Sequence, residues 1–102
     1  MNPQQSRAVV MNLVTDDYYG LWEIVWRLKE LCPIDSETEL RENAEKVVKQ
    51  LVKDGQIAVF WRETATSEPI RIVEDAIEIL SRSENWREPT LATDASIWIG
   101  EV

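Results

Sequence analysis

Three features of the sequence predict an α+β fold. A capped helical pattern occupies residues 36–53. A run of branched and aromatic residues follows at 56–62, and a second such run, 95–101, lies near the end of the chain. Together they predict a bundle of about three helices carrying a small antiparallel β-ribbon. With 102 residues, 44% of them apolar, the chain has material for one core, so residues 1–102 read as a single domain.

The pattern over 36–53 is the strongest. Ser36-Glu37-Thr38-Glu39 has the spacing of a capping box, in which Ser36 accepts from the backbone of Glu39 and Glu39 reaches back. Leu40, Ala44, Val47, Val48 and Leu51 recur at helical spacing. Acids lead while Lys46, Lys49 and Lys53 follow, as the helix dipole favours. Glu42 with Lys46 and Glu45 with Lys49 are i,i+4 pairs, and Gly55 is placed to end the helix.

Before it, Thr15-Asp16-Asp17 predicts the start of a helix running from about Tyr18 to Cys32 and stopped by Pro33. Leu21, Ile24, Val25, Leu28, Leu31 and Cys32 share one face, and Trp22 extends it. Tyr19 and Trp26 widen it, leaving Glu23, Arg27 and Glu30 as a polar strip. Gly20 marks a break near its start. Residues 1–14 fit a strand or a helix equally well, with Ala8, Val9, Val10, Met11, Leu13 and Val14 as the apolar set, and the extreme N-terminus reads as loose.

After it, Gln56 to Arg62 reads as a strand with Ile57, Val59 and Trp61 on one face and Ala58 and Phe60 on the other. Glu63 to Pro69 is a polar loop. A short helix is expected at 73–81, with Val73, Ala76, Ile77 and Leu80 facing inward. Ser83 to Thr93 is irregular, broken by Pro89. Ala95 to Glu101 alternates Ile97 and Ile99 against Trp98 and is the natural partner of the 57–62 strand.

Composition narrows function mainly by exclusion. There is no histidine, so the commonest general base is missing and neither a Cys–His nor a Ser–His pair can form within the chain. The three glycines, at 20, 55 and 100, are too scattered for a phosphate-binding loop. Cys32, the one cysteine, excludes an internal disulfide framework and falls on an apolar face, where a thiol is inert. Glu37, Glu39 and Glu42 lack the spacing of a calcium loop and read as a solvated first turn. No catalytic residue, metal ligand or cofactor is expected. The first seven residues lack the basic and apolar regions of a secretory signal, and no uncharged apolar run reaches bilayer length, so the expected setting is the cytoplasm.

A net charge of −8 opposes contact with phosphate backbones and anionic membranes. Against that, five tryptophans are a heavy load for a chain of this size. They serve either as bulky core or as anchors of an interaction surface, where Trp is enriched. Tyr19, Trp22, Trp26 and Trp86 are the candidate partner contacts. Trp26 is either a core residue beneath the N-terminal segment or a partner contact. Trp86, within the polar stretch Ser83 to Pro89, is either a plug on the core or a second contact. The apolar arc of the first helix is wider than one layer needs, so residues 8–14 or a second chain should cover its flank.

The order of a helix, a capped helix, Gly and an apolar strand, with the segment LVKDGQIAVFWR at its centre, resembles the winged-helix theme over roughly residues 16–101. It is also similar to small bacterial proteins of unknown function with a tryptophan-bearing helix. A winged helix implies a helical bundle with an antiparallel ribbon, and it makes a DNA-binding regulator the alternative to a non-enzymatic protein-interaction or regulatory module. The chain departs from that theme by placing a helix between the two ribbon strands. The 73–81 helix carries Glu74, Asp75 and Glu78, and the 36–53 helix alternates bases with acids, which disfavours groove docking. The expected partner is therefore a protein, a second copy included.

Overall fold

The computed structural model describes residues 2–64, 66–87 and 96–102, with Asp16 described by its backbone alone. Among these residues the order is α1 (Pro3–Asp16), β1 (Tyr19–Gly20), α2 (Leu21–Leu31), α3 (Glu37–Lys53), β2 (Ile57–Arg62), β3 (Ile70–Ile72), α4 (Ala76–Ser81), a 3₁₀ turn (Ser83–Trp86) and β4 (Ser96–Glu101). The fold is α+β, with four α-helices among the described residues and an antiparallel sheet in the order β1-β4-β2-β3. No helix among the described residues is long and apolar enough to cross a membrane.

The N-terminal segment is a helix. Pro3 suits the first helical position, and Asn2 caps it: Gln5 N–H donates to Asn2 Oδ1 at 2.8 Å and Asn2 N–H donates to Gln5 Oε1 at 3.0 Å. The end that the sequence left loose is thus tied down. Ser6, Val10 and Val14, four residues apart, are buried, and the Arg7–Asp54 ion pair at 3.6 Å joins α1 to the end of α3.

The helix expected to begin near Tyr18 begins at Leu21. Thr15 belongs to the last turn of α1, where its hydroxyl donates to the Met11 carbonyl at 2.7 Å. Asp17 is fully extended, and Tyr19 and Gly20 pair with Ile99 and Trp98. Gly20 N–H donates to Glu23 Oε1 at 3.0 Å, which satisfies one free donor at the start of α2. The acids of 15–17 therefore do not start this helix. The break at Gly20 is real, and the indole of Trp22 folds back onto it.

In α3 the forward half of the expected box forms: Glu39 N–H donates to Ser36 Oγ at 3.1 Å, while Glu39 makes no return bond. Glu45 pairs with Lys49 at 3.0 Å as expected and also takes Arg41 at 3.2 Å, whereas Glu42 and Lys46 do not meet. Gly55, at φ +72°, closes the helix. Gln56 N–H donates to the Leu51 carbonyl and Gly55 N–H to that of Val52, the paired pattern that a left-handed residue permits.

The expected pairing of the two long strands is present in full, from Ile57 opposite Glu101 to Arg62 opposite Ser96. The sequence did not reveal β3, which adds to the free edge of β2 with Val59 opposite Ile72. The last helix starts three residues later than expected because Asp75 is left-handed (φ 58°), and Val73 is 82% exposed rather than inward. The expected irregular stretch around Pro89 and the residue Ala95 lie outside the described residues.

Two apolar clusters result. Ile57, Val59, Ile97 and Ile99 face the helices and join Val10, Leu21, Ile24, Leu28, Leu40, Val48 and Leu51 in the main core. Ala58, Phe60 and Trp98 face the other way, with Trp22 packed against them.

Candidate functional site

α2 enters the core through Leu21, Ile24, Val25 and Leu28, which leaves Trp22 and Trp26 on its flank, one turn apart. The N-terminal turns of α3 lie beside this flank and present Glu37 and Arg41. The 3₁₀ turn after α4 presents Ser83 and Trp86, with Arg87 just beyond. Between the three elements runs a groove of about 350 Å³, floored by Val25 and walled by the three indoles.

Each indole is held differently. Trp22 stands edge-on to Trp98, with ring centroids 5.2 Å apart, and is wedged over Gly20. Trp86 is only 4% exposed, and its Nε1–H donates to the Leu80 carbonyl at 2.8 Å. It is a plug on the core, with one side forming a groove wall. Trp26 is 48% exposed; α1 turns its buried face to the main core and leaves this residue uncovered. The core reading of Trp26 is thereby overturned.

The groove carries two guanidiniums and one carboxylate. Arg41 leans on Glu45 along α3, its Nη1 donating to Glu45 Oε1 at 3.2 Å. Among the described residues Arg87 has no ion-pair partner, and its backbone N–H caps the 3₁₀ turn on the Glu84 carbonyl.

Three of the four residues singled out from sequence, Trp22, Trp26 and Trp86, thus meet in one groove. Tyr19 does not join them. It sits on β1 opposite Ile99, packs against the main core and borders a different depression, of about 560 Å³, near Tyr18, Arg62 and Trp98. In that depression Arg62 is already engaged: it stacks over Trp98 at 4.5 Å and donates to the Ser67 carbonyl at 2.9 Å. Sequence reading missed Arg41 and Arg87. Arg41 sits one turn after Glu37, and Arg87 directly follows a tryptophan; neither spacing distinguishes them from solvated charges before the helices are placed.

Cys32 caps α2, partly buried against the core. Among the described residues no group of three or more His, Cys, Asp or Glu side chains could hold a metal ion. No protein-family model matches the chain, and neither a curated protein nor a solved structure matches it.

Proposed function

We propose that this chain is a non-enzymatic protein-interaction or regulatory module of the cytoplasm, which takes its partner in the groove between α2, α3 and the 3₁₀ turn. One observation carries the reading: three of the five tryptophans line a single open groove together with two arginines. Trp and Arg are the side chains most enriched at binding hot spots, and a concave, partly apolar seat lets them be desolvated together. The winged-helix-like reading fits the order of the elements. Two consecutive helices, α2 and α3, precede β2, and β4 returns to lie between β1 and β2. What sets it apart from a plain ribbon is the insertion of β3 and α4 between β2 and β4.

That order also keeps DNA binding as the reading to be tested against. The charges of α3 oppose it, since Arg41 and Lys49 are both engaged by Glu45 and the chain as a whole is at −8. Co-purification from the native host with the intact protein and with Trp26→Glu is the test. A partner retained by the first and lost by the second is expected, while duplex DNA binds no tighter than about 10⁻⁴ to 10⁻⁶ M at physiological salt. Nanomolar affinity for any duplex would replace the interaction reading with the regulatory DNA-binding one.

A further inference from the structure

We infer that the open face of the sheet holds a second interaction surface, centred on Tyr18. It takes a basic segment of a partner protein, with one Arg or Lys side chain in each of the two depressions that the Tyr18 ring borders. This surface is separate from the groove between α2, α3 and the 3₁₀ turn and does not depend on it. Tyr18 is 37% exposed and stands edge-on to Phe60, with ring centroids 4.9 Å apart. The depressions beside it measure about 200 Å³ and about 560 Å³. Asp17 and Glu101 line the smaller one, and Asp17, Glu23 and Glu68 the larger. Among the described residues Arg62 is the one cation at either, so four carboxylates face a single guanidinium. None of these five groups forms an ion pair with a described residue. Asp17 and Glu23 accept the backbone N–H groups of Tyr18 and Gly20, which fixes each carboxylate and leaves its charge in place.

Arg62 shows how this surface receives a guanidinium. Its planar group lies over Trp98 at 4.5 Å and 6.0 Å from the centre of the Tyr18 ring, while its Nε–H donates to the Ser67 carbonyl at 2.9 Å. The chain thus spends its own cation on ring faces and a carbonyl, and the acids around it stay uncompensated. The exposed part of Tyr18 offers the same kind of contact to a further cation. The carboxylates come from the approach to β1, from α2, from the loop before β3 and from the end of β4. They surround Tyr18 rather than converge, and among the described residues no three acids are placed to hold a metal ion. Charge spread in this way suits a segment with two cations better than a single ion. The sign of the partner is fixed twice over. The local excess is negative, and the net charge of −8 draws a basic partner in while it repels nucleic acid and a second copy of the chain.

The probe is a synthetic Gly/Ser-rich peptide carrying two arginines, titrated into the intact protein and followed by the backbone-amide NMR spectrum. The amides of residues 17–23, 66–68 and 101 are expected to shift together and to saturate. Glu68→Gln with Glu101→Gln removes one carboxylate from each depression and spares Asp17 and Glu23, which hold backbone donors. This pair should weaken binding about fivefold, as expected for two surface charge contacts. Glu39→Gln with Glu42→Gln removes the same charge from the exposed face of α3 and should cost less than about twofold. Tyr18→Leu, which keeps apolar cover over Phe60, should cost about threefold through the lost ring face. Unchanged melting curves show that the two double variants are folded. Equal weakening by both would mean that binding follows net charge alone, and would overturn the surface. Spermine, or a peptide with one arginine, binding as tightly would overturn the two-cation segment in favour of a free polyamine or a single cation. Shifts that centre on the groove and vanish with Trp26→Glu, or no saturable shift at all, would remove the second surface and leave the groove to its own test.

Discussion

On the helix side of the sheet Tyr19, Ile99, Val59 and Ile72 form one cross-strand row, and every buried apolar side chain of the four helices packs on that side. The next row, Gly20, Trp98, Phe60 and Arg71, faces the other way. Among the described residues it is roofed by side chains alone: Tyr18 edge-on to Phe60 at 4.9 Å, Trp22 edge-on to Trp98, and Arg62 laid over Trp98. Backbone elements cannot collapse into a void as freely as a swinging ring can. Equal losses of volume should therefore cost more on the helix side, and additions should be absorbed more easily on the open side where the roof is exposed.

The largest effect is expected at Ile99, fully buried between Tyr19 and Val59. Ile99→Ala should cost about 4 kcal/mol by denaturant titration, within the range of roughly 2–5 for aliphatic truncation in a core that relaxes only partly. A loss below about 1 kcal/mol would show that the helices follow the cavity inward, and the contrast between the faces would fail.

Gly20→Ala should cost about 2 kcal/mol, because its Cβ would occupy the space of the Trp22 ring and force it off Trp98. Gly100→Ala is the control on the same face. There the new methyl would lie 2.6 Å from Tyr18, whose ring is 37% exposed and can turn into solvent, and 3.3 Å from Phe60, so the loss should stay below about 1 kcal/mol. Near-ultraviolet circular dichroism separates the two, since only the first disturbs the Trp22–Trp98 pair. Equal costs would mean that the Tyr18 roof is as rigid as the Trp22 wedge.

These positions also show why the sequence was legible in some places and silent in others. The α3 pattern and the pairing of β2 with β4 were readable because each spans several residues of regular period: 3.6 from Leu40 to Leu51, and 2 from Ile57 to Trp61. β3 offered three residues, one of them arginine, and no period can be read from three. The start of α2 was misplaced because Thr15 and Asp16 are as acceptable at the end of α1 as at the head of the next helix. The choice between them is made by pairing with Ile99 and Trp98, some eighty residues away. The tryptophans were legible as candidates but not as a set, because Trp22 and Trp26 share a helix while Trp86 reaches them only through the packing of the 3₁₀ turn.

One exception lies inside the helix-side core. Ser6 is fully buried on α1, and among the described residues its hydroxyl has no hydrogen-bond partner. A buried hydroxyl without a partner loses its hydration for nothing, and alanine is the better helix former. Ser6→Ala should therefore raise stability by about 1 kcal/mol, seen as a higher denaturant midpoint at unchanged slope. A loss of similar size would reveal a partner for the hydroxyl, a water among the possibilities, and would make this end of the core less dry than the row around Ile99.

The smallest effect on stability is expected where the effect on binding is largest. Trp26 is half exposed, flanks the core stripe of α2 without entering it, and among the described residues makes no ring pairing of the kind that fixes Trp22. Truncating it exposes no cavity and strands no polar group, so Trp26→Ala should change stability by no more than about 0.5 kcal/mol, as for ordinary surface positions. A tryptophan kept half in water gains little for the fold, yet it supplies the exposed wall of the groove. Affinity for a groove partner should accordingly fall by at least about thirtyfold on truncation, the ~2 kcal/mol of a hot-spot anchor. The two measurements are made on the same sample, a denaturant titration and a binding titration followed by intrinsic fluorescence. If Trp26→Ala unfolds the protein instead, the residue belongs to the core, and the groove loses its closing side. If it changes neither stability nor binding, the partner lies elsewhere on the surface, and the roof of Tyr18, Arg62 and Trp98 on the open face of the sheet becomes the next place to test.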